Sequence, residues 1–336
     1  MSEEQPAKAK FESVEDIPGV GPATAAKLRD IGFSTLEALA TATIRELTPV
    51  GIGDKQAARI IGLARDSISV QFITTEELLK ERAKVQRLTT GSKALDGLVT
   101  PHGVVLGGLE TQTITEFFGE YGTGKSQLCH QLCVNVQLPR GKGGLEGGAL
   151  YIDTEHTYSP ERICQMAQHL GLDPSVVVKS IIYAEAFNSD HQVLLLERCD
   201  RIVKENNIRL VIVDSLTAHF RSEYLGREVL AERQQRLNKH MHRLIRLSRA
   251  FNLVAVVTNQ VMARPDVFFG EPIAAVGGHI VAHTSHTRLF LRKAASGPVR
   301  IIKLVSSPYL PEGERVFKIT ENGVEDIAEE DEVRRR

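Results

Sequence analysis

The sequence predicts an α/β fold: a phosphate-loop core with a mostly parallel, twisted sheet, preceded by a small all-α helix-hairpin-helix domain. Three observations carry this. From Leu88 onward, short apolar stretches alternate with helical patterns, as in TQTITEFF, ALYIDTE, RLVIVDS and NLVAVVTNQ. That alternation marks βαβ units whose sheet is covered on both faces. Between the first of these strands and the helical SQLCHQLCVNVQ stands GEYGTGKS, residues 119–126, which matches G-x-x-x-x-G-K-[ST] at the strand-to-helix junction where such a loop belongs. Upstream, residues 14–66 hold an imperfect internal repeat, each copy a Gly- and Pro-rich turn that leads into an Ala-rich basic helix.

Composition narrows the class. A chain of 336 residues suggests two domains at about 150 residues each. Hydrophobic content of 42% and charged content of 25% are ordinary for a soluble globular protein, and no apolar run reaches the roughly 18 residues of a membrane span. The N-terminal MSEEQPAKAKF lacks the basic-then-apolar layout of a secretory signal, which places the protein in the cytoplasm. Cysteines 129, 133, 164 and 199 form no C-x-x-C pair and read as buried, inert thiols. The net charge of −1 means that any nucleic-acid site must be local, because a protein coating a polyanion often carries a basic excess.

In chain order, residues 1–12 are polar and read as a disordered tail. Residues 13–66 form the helical domain: Pro18, Gly19, Gly21 and Pro22 open its first copy, and Pro49, Gly51 and Gly53 its second. Both copies resemble the helix-hairpin-helix motif, whose hairpin turns backbone N–H groups toward a phosphate. Lys27, Arg29, Lys55 and Arg59 supply positive charge for DNA; a purely packing or adaptor module is the alternative. Residues 67–87 join this module to the core through one β-branched stretch and one charged helix. The core runs over 88–328, and 329–336, EEDEVRRR, form a mobile tail.

The nucleotide chemistry follows from strand ends. Gly119, Glu120, Tyr121, Gly122, Thr123 and Gly124 make the loop; Gly122 and Gly124 let its backbone wrap phosphates, Lys125 neutralises β/γ charge, and the Ser126 hydroxyl holds Mg²⁺. Asp214 ends the apolar run LVIVD and is the second metal-associated acid. In YIDTE, Glu155 is favoured over Asp153 as the group that orients attacking water. Asn259 and Gln260 end LVAVVT as amides able to sense the γ-phosphate, with a plain turn role equally open. From 221 to 250 there are eight Lys/Arg against three Glu, a local excess suited to phosphates, although a solvated basic helix would look similar.

TTGSKALDGL, TEFFGEYGTGKSQLCHQLCV, YIDTEHTYSPERI, LVIVDSLTAHFRSEYLGRE, TNQVMARPD, GGHIVAHTSHTRLFLRK and SSPYLPEGE together resemble the archaeal RadA recombinases and their eukaryotic relatives, over residues 14 to 328. The resemblance implies a RecA-like core, ATP and Mg²⁺ as cofactors, and a DNA-dependent ATPase that forms a filament on single-stranded DNA and pairs it with double-stranded DNA in strand exchange. It implies catalytic roles for Lys125, Glu155 and Gln260, metal contact by Ser126 and Asp214, and adenine stacking by Arg162. It also implies DNA contacts at Arg221, Tyr224, Arg227, Arg264, Gly277, Gly278 and His283. Self-association follows from a linker whose Phe72 matches the family's Phe-x-x-Ala motif while Thr75 departs from it, and recombination mediators are further possible partners.

Three more departures stand out. Ser306 replaces the family's acid before Ser-Pro, which puts K⁺ binding in question; His156 replaces a glycine; and TPHGVV, 100–105, is an insertion. The absence of Trp and an aromatic content of 5% argue against a base-stacking platform, so DNA is expected to be held by its backbone. Two other functions compete: a non-exchanging mediator of the same family, and a hexameric motor of the same core fold. The twin hairpins weigh against both.

Overall fold

The computed structural model describes residues 11, 13–33, 35–48, 51–67, 73–226, 228–263, 273–295 and 297–327. The chain divides into two compact units, Met1–Glu81 and Arg82–Arg336.

The first unit is all α. It contains α1 (Pro22–Asp30), α2 (Leu36–Ala40), α3 (Ile44–Leu47) and α4 (Asp54–Ser67), and α5 (Thr75–Arg82) runs across the boundary. Helix starts follow local chemistry: Pro22 stands in the first turn of α1, the Thr35 hydroxyl caps α2, and Thr43 with Glu46 forms a capping box on α3. Gly19 and Gly51 both lie in the left-handed region, φ 98° and 81°, which only glycine enters without steric cost. Each hairpin then buries the residue after it, Val20 and Ile52, in a core with Leu28, Leu39, Leu47 and Ile60. The Gln56 side-chain amide donates to Gly19 O at 3.2 Å, stitching the two copies together.

The second unit contains, in order, β1 (Arg87–Leu88), α6 (Lys93–Leu98), β2 (Leu109–Glu110), β3 (Ile114–Gly119), α7 (Lys125–Asn135), β4 (Gly148–Asp153), α8 (Pro160–His169) and α9 (Pro174–Lys179). There follow β5 (Ile181–Glu185), α10 (Ser189–Arg198), α11 (Asp200–Glu205), β6 (Ile208–Asp214), α12 (Ala218–Glu223), α13 (Leu230–Ala250) and β7 (Val254–Asn259). The last elements are β8 (Val261–Ala263), β9 (Ile273–Ala275), α14 (Gly278–Thr284), β10 (Thr287–Lys293), β11 (Val299–Ser306), β12 (Gly313–Thr320) and β13 (Gly323–Glu325).

Nine strands form one sheet in the order β13-β12-β11-β10-β3-β7-β6-β4-β5. From β10 to β5 the strands are parallel, and β10 to β13 form an antiparallel meander. The parallel part has the predicted βαβ origin. The meander arises where turns replace crossover helices, since antiparallel neighbours need only a short connection.

Alternate residues of each central strand enter opposite cores. Tyr151, Leu210, Ile212, Val254 and Val256 face a cluster with Leu128, Cys129, Leu132 and Cys133 of α7 and Ile163 and Met166 of α8. Leu150, Ile152, Val211, Val213 and Val257 face Leu196 of α10 and Leu237, Met241 and Leu244 of α13. Every residue of β3, β4 and β7 is buried, so these strands carry near-continuous apolar runs. The 100–105 insertion lies in the loop after α6, held by Thr100, whose hydroxyl accepts from Gly108 N at 2.9 Å. Val105, at its crest, is 95% exposed.

Candidate nucleotide and nucleic-acid site

The phosphate loop sits between two parallel neighbours of β3. Gly119 is in register with Leu291 of β10, and Phe118 with Asn259 of β7. A Cβ on Gly119 would lie 2.2 Å from Leu291 O, and Gly124 precedes α7 at φ 103°, so the loop's path requires glycine at both places. Lys125 Nζ donates to Gly119 O and Glu120 O, each at 2.9 Å, and the Thr123 hydroxyl donates to Glu120 O at 2.8 Å. Burial holds the Lys125 ammonium below its ordinary pKa, opposed by the charges of Asp214 and Glu155. Ser126 is half-buried in the first turn of α7, and Tyr121 is 92% exposed.

The acids converge from adjacent strands. Asp153 of β4 is in register with Asp214 of β6. Asp214 is buried and accepts from Tyr151 OH at 2.6 Å, Thr157 Oγ1 at 3.4 Å and Thr258 Oγ1, and the peptide bond to Ser215 is cis. Asp153, also buried, accepts from the backbone N–H groups of Glu155 and Tyr158 at 3.0 Å each, and so turns the chain. Glu155, half-buried, takes donors from Ser215 Oγ and, at 2.8 Å, Gln260 Nε2.

The two amides at the end of β7 also part company. Asn259 is fully buried; its amide donates to Val276 O at 2.6 Å and Glu116 at 2.8 Å, and its oxygen accepts from Thr217 Oγ1 at 2.8 Å. Gln260 points to Glu155, and its carbonyl accepts from Val276 N at 2.9 Å. Gln260 therefore stands at the root of the β8–β9 hairpin, where Val261 pairs with Ala275. A carboxylate and a hydroxyl beside a phosphate loop form the sparse donor set that Mg²⁺ takes when phosphate supplies the remaining oxygens. Among the described residues no group of three or more His, Cys, Asp or Glu could hold a metal alone.

Arg162 lies in the first turn of α8, beside the β12–β13 turn. Its guanidinium donates to Gln127 Oε1 at 2.8 Å, Glu321 O at 2.6 Å and Thr320 O, and partial burial lowers its pKa. Arg221 is exposed on α12. Tyr224 is half-buried, its ring stacked on Phe220 at 6.4 Å with the Arg236 guanidinium 5.6 Å from its centroid. Gly277 and Gly278 open α14 at φ 93° and 61°, and His283 is exposed in its last turn. His156 has φ 56° and lies 3.5 Å from Glu185, so its backbone occupies the region where a glycine is favoured. Thr75 is exposed in the first turn of α5, after a Thr74–Glu77 capping pair, and Ser306 is exposed at the end of β11. Phe72, Arg227 and Arg264 lie outside the described residues.

Several contacts were not visible in the sequence. Three cations of the 221–250 excess are engaged by neighbouring helices: Arg236 with Asp190, Lys239 with Glu197 at 3.5 Å, and Arg243 with Asp200 at 2.6 Å. Arg29 of the first unit pairs with Glu15. Tyr151, Thr258 and Ser215 carry no motif, and only strand register brings their hydroxyls to the acids. Glu116, fully buried, pairs with Arg288 at 2.6 Å beneath the same strand ends.

Comparison with known proteins agrees with this architecture. Residues 81–327 match the Rad51 family model, and residues 11–66 match the SAM-like helix-hairpin-helix tandem. The DNA repair and recombination protein RadA of Aeropyrum pernix is 51% identical over 320 residues, covering 95% of this chain and 98% of that protein. The protein of the same description from Ignicoccus hospitalis is 52% identical over 319 residues, 94% and 95% of the two chains, and that from Metallosphaera sedula 50% over 331 residues, 98% and 100%. With a tandem hairpin module followed by a phosphate loop after β3 and a buried acid at the end of β6, the chain belongs to the Rad51 family, in its RadA branch.

Proposed function

We propose that this protein is a DNA-dependent ATPase that assembles on single-stranded DNA and catalyses homologous pairing and strand exchange in recombination and repair. The observation that carries this is the bond from Gln260 to Glu155, which ties the candidate hydrolytic carboxylate to the root of a hairpin beyond the sheet. Glu155 orients water in line with the γ-phosphate and accepts its proton as the water oxygen bonds to phosphorus and the β–γ bridge bond breaks. Asp153 is spent on backbone N–H groups, which supports Glu155 in this role. Lys125 holds the phosphates. Asp214 and Ser126 would hold Mg²⁺, which would neutralise charge on the phosphates. Arg162, held by Gln127 and the β12–β13 turn, would stack on the adenine.

DNA is held by its backbone, through Arg221, Tyr224, Arg227, Arg264 and His283, and by amides at Gly277 and Gly278. Lys27, Lys55 and Arg59, all exposed, let the hairpin domain add phosphate contacts. Self-association uses the β5 edge of the sheet, unpaired among the described residues. Around β5, Phe187 is 69% exposed, and Tyr183, Leu194 and Ile202 are also exposed, an apolar patch of the kind that marks an interface. Phe72 of a neighbouring copy inserts there, and Thr75 suits the helix start it occupies. Ser306 offers a neutral hydroxyl where the family has a carboxylate, which weakens any K⁺ site at that position. The work takes place in the cytoplasm.

A strand-exchange assay tests this. Wild-type protein is expected to convert homologous substrates with ATP and not without it, and Lys125→Ala to lose turnover by about 100-fold or more, as loss of a phosphate clamp requires. Exchange that proceeds equally without nucleotide overturns the proposal.

A further inference from the structure

Glu155 receives both of its side-chain hydrogen bonds on one oxygen, Oε1. The donors come from two different places. Gln260 follows β7 and begins the β8–β9 hairpin. Ser215 follows β6 and begins the segment that leads through Thr217 into α12, which carries Arg221. We infer that Ser215 is a positioning residue, coupling the α12 segment to Glu155 as Gln260 couples the hairpin. This rests on the reading of Glu155 as the hydrolytic base and of α12 as a DNA-facing element.

The segment between β6 and α12 has little room to absorb motion. Ser215, 2% exposed, donates its N–H to Thr154 Oγ1 at 2.8 Å, and its carbonyl accepts from that same hydroxyl at 2.9 Å. Thr154 is the residue before Glu155. Leu216 N donates to Thr258 O at 2.9 Å, and Leu216 O accepts from Gln192 Nε2 at 3.1 Å. Thr217 bonds Asn259, whose amide reaches Val276 at the far side of the β8–β9 hairpin.

Each residue from 215 to 217 is thus pinned to a buried strand end, and a displacement of α12 passes into the Ser215 hydroxyl. A general base must hold its water at about 2.6–3.2 Å in a fixed direction. Rotation of the carboxylate about the Oε1 anchor alters that direction, so two anchors from two loops let DNA contact at either one change turnover. Such a link is a coupling free energy, and it shows as non-additivity.

The experiment uses full-length protein and measures ATP turnover with and without single-stranded DNA, together with DNA affinity by fluorescence anisotropy. For Ser215→Ala, the ratio of DNA-stimulated to basal kcat is expected to fall at least about fivefold. KM for ATP should stay within about twofold, the split that separates positioning from binding. DNA affinity should be unchanged, and Ser215→Thr, which keeps the hydroxyl, should restore the ratio. Ser215→Cys, of similar size with a weak donor, carries the same expectation as Ala and replaces it if Ala does not fold. A wild-type ratio in the folded Ala or Cys variant, or a Thr variant that binds ATP and DNA normally yet stays unresponsive, overturns the inference. Wild-type turnover that ignores DNA overturns the proposed function itself, and this inference with it.

Discussion

Asp214 illustrates how much of the site depends on single side chains. Its carboxylate is buried, and the hydroxyls of Tyr151 and Thr258 donate to it, with Thr157 at 3.4 Å, so hydrogen bonding offsets its desolvation. Two buried histidines make the opposite choice. His130, stacked on Tyr151 at 5.7 Å, and His240, beside Phe220 at 6.1 Å, are both held at a pKa of about 4, chiefly by burial. Their Nδ1 atoms have no partner among the described residues.

A depressed imidazole pKa has a defined sign. The unfolded chain binds protons at about 6.5 and the folded one only at about 4, so stability is full above 6.5, falls as pH drops through that window, and levels off below it. The loss is on the order of 3 kcal/mol per imidazole. Thermal melts between pH 7 and 4 are expected to show a falling Tm, and His240→Leu should flatten that slope. An equally steep slope in the variant refutes the assignment.

At the scale of elements, ion pairing divides the basic residues of α12 and α13. Arg243 is largely buried against Asp200 on α11 and is spent within the fold, whereas Arg221 on α12 stands in solvent. Arg221→Ala should reduce the salt slope of single-stranded DNA binding by about 0.7, the value for one lost phosphate contact. Arg243→Ala should leave that slope unchanged while lowering stability, and equal slopes in both variants would sink the distinction. Composition alone counted these arginines together. The acidic partners that divide them lie on α10 and α11, far away in sequence. The loop GEYGTGKS was legible because its chemistry is local: each residue acts through backbone shape or a direct reach to phosphate. Asn259 and Gln260 were not separable, because their roles depend on which side of β7 meets Glu116 and which meets Glu155.

For the whole molecule, the edge at β5, unpaired among the described residues, is the feature with the largest consequence. An unpaired strand edge flanked by exposed apolar side chains invites another chain. Phe187→Glu and Phe72→Glu are each expected to reduce the mass of assemblies seen by light scattering with DNA and ATP, and Phe187→Glu, at an exposed site, to leave thermal stability of the core within about 0.5 kcal/mol. Assemblies of unchanged mass in both variants would exclude this edge as the contact.

The order of strands and helices, the phosphate loop, the twin hairpins and the acidic strand ends were readable in the chain, because each depends on periodicity or on neighbours within a few residues. The C-terminal antiparallel meander, the register that sets Asp153 beside Asp214, and the hydroxyls of Tyr151, Thr258 and Ser215 were not. They depend on pairings between strands that lie tens of residues apart, and no local pattern records which strands become neighbours. Glu155 stands between the two kinds of knowledge: its place at a strand end is local, while the two donors that hold it come from different loops and meet only in the folded molecule.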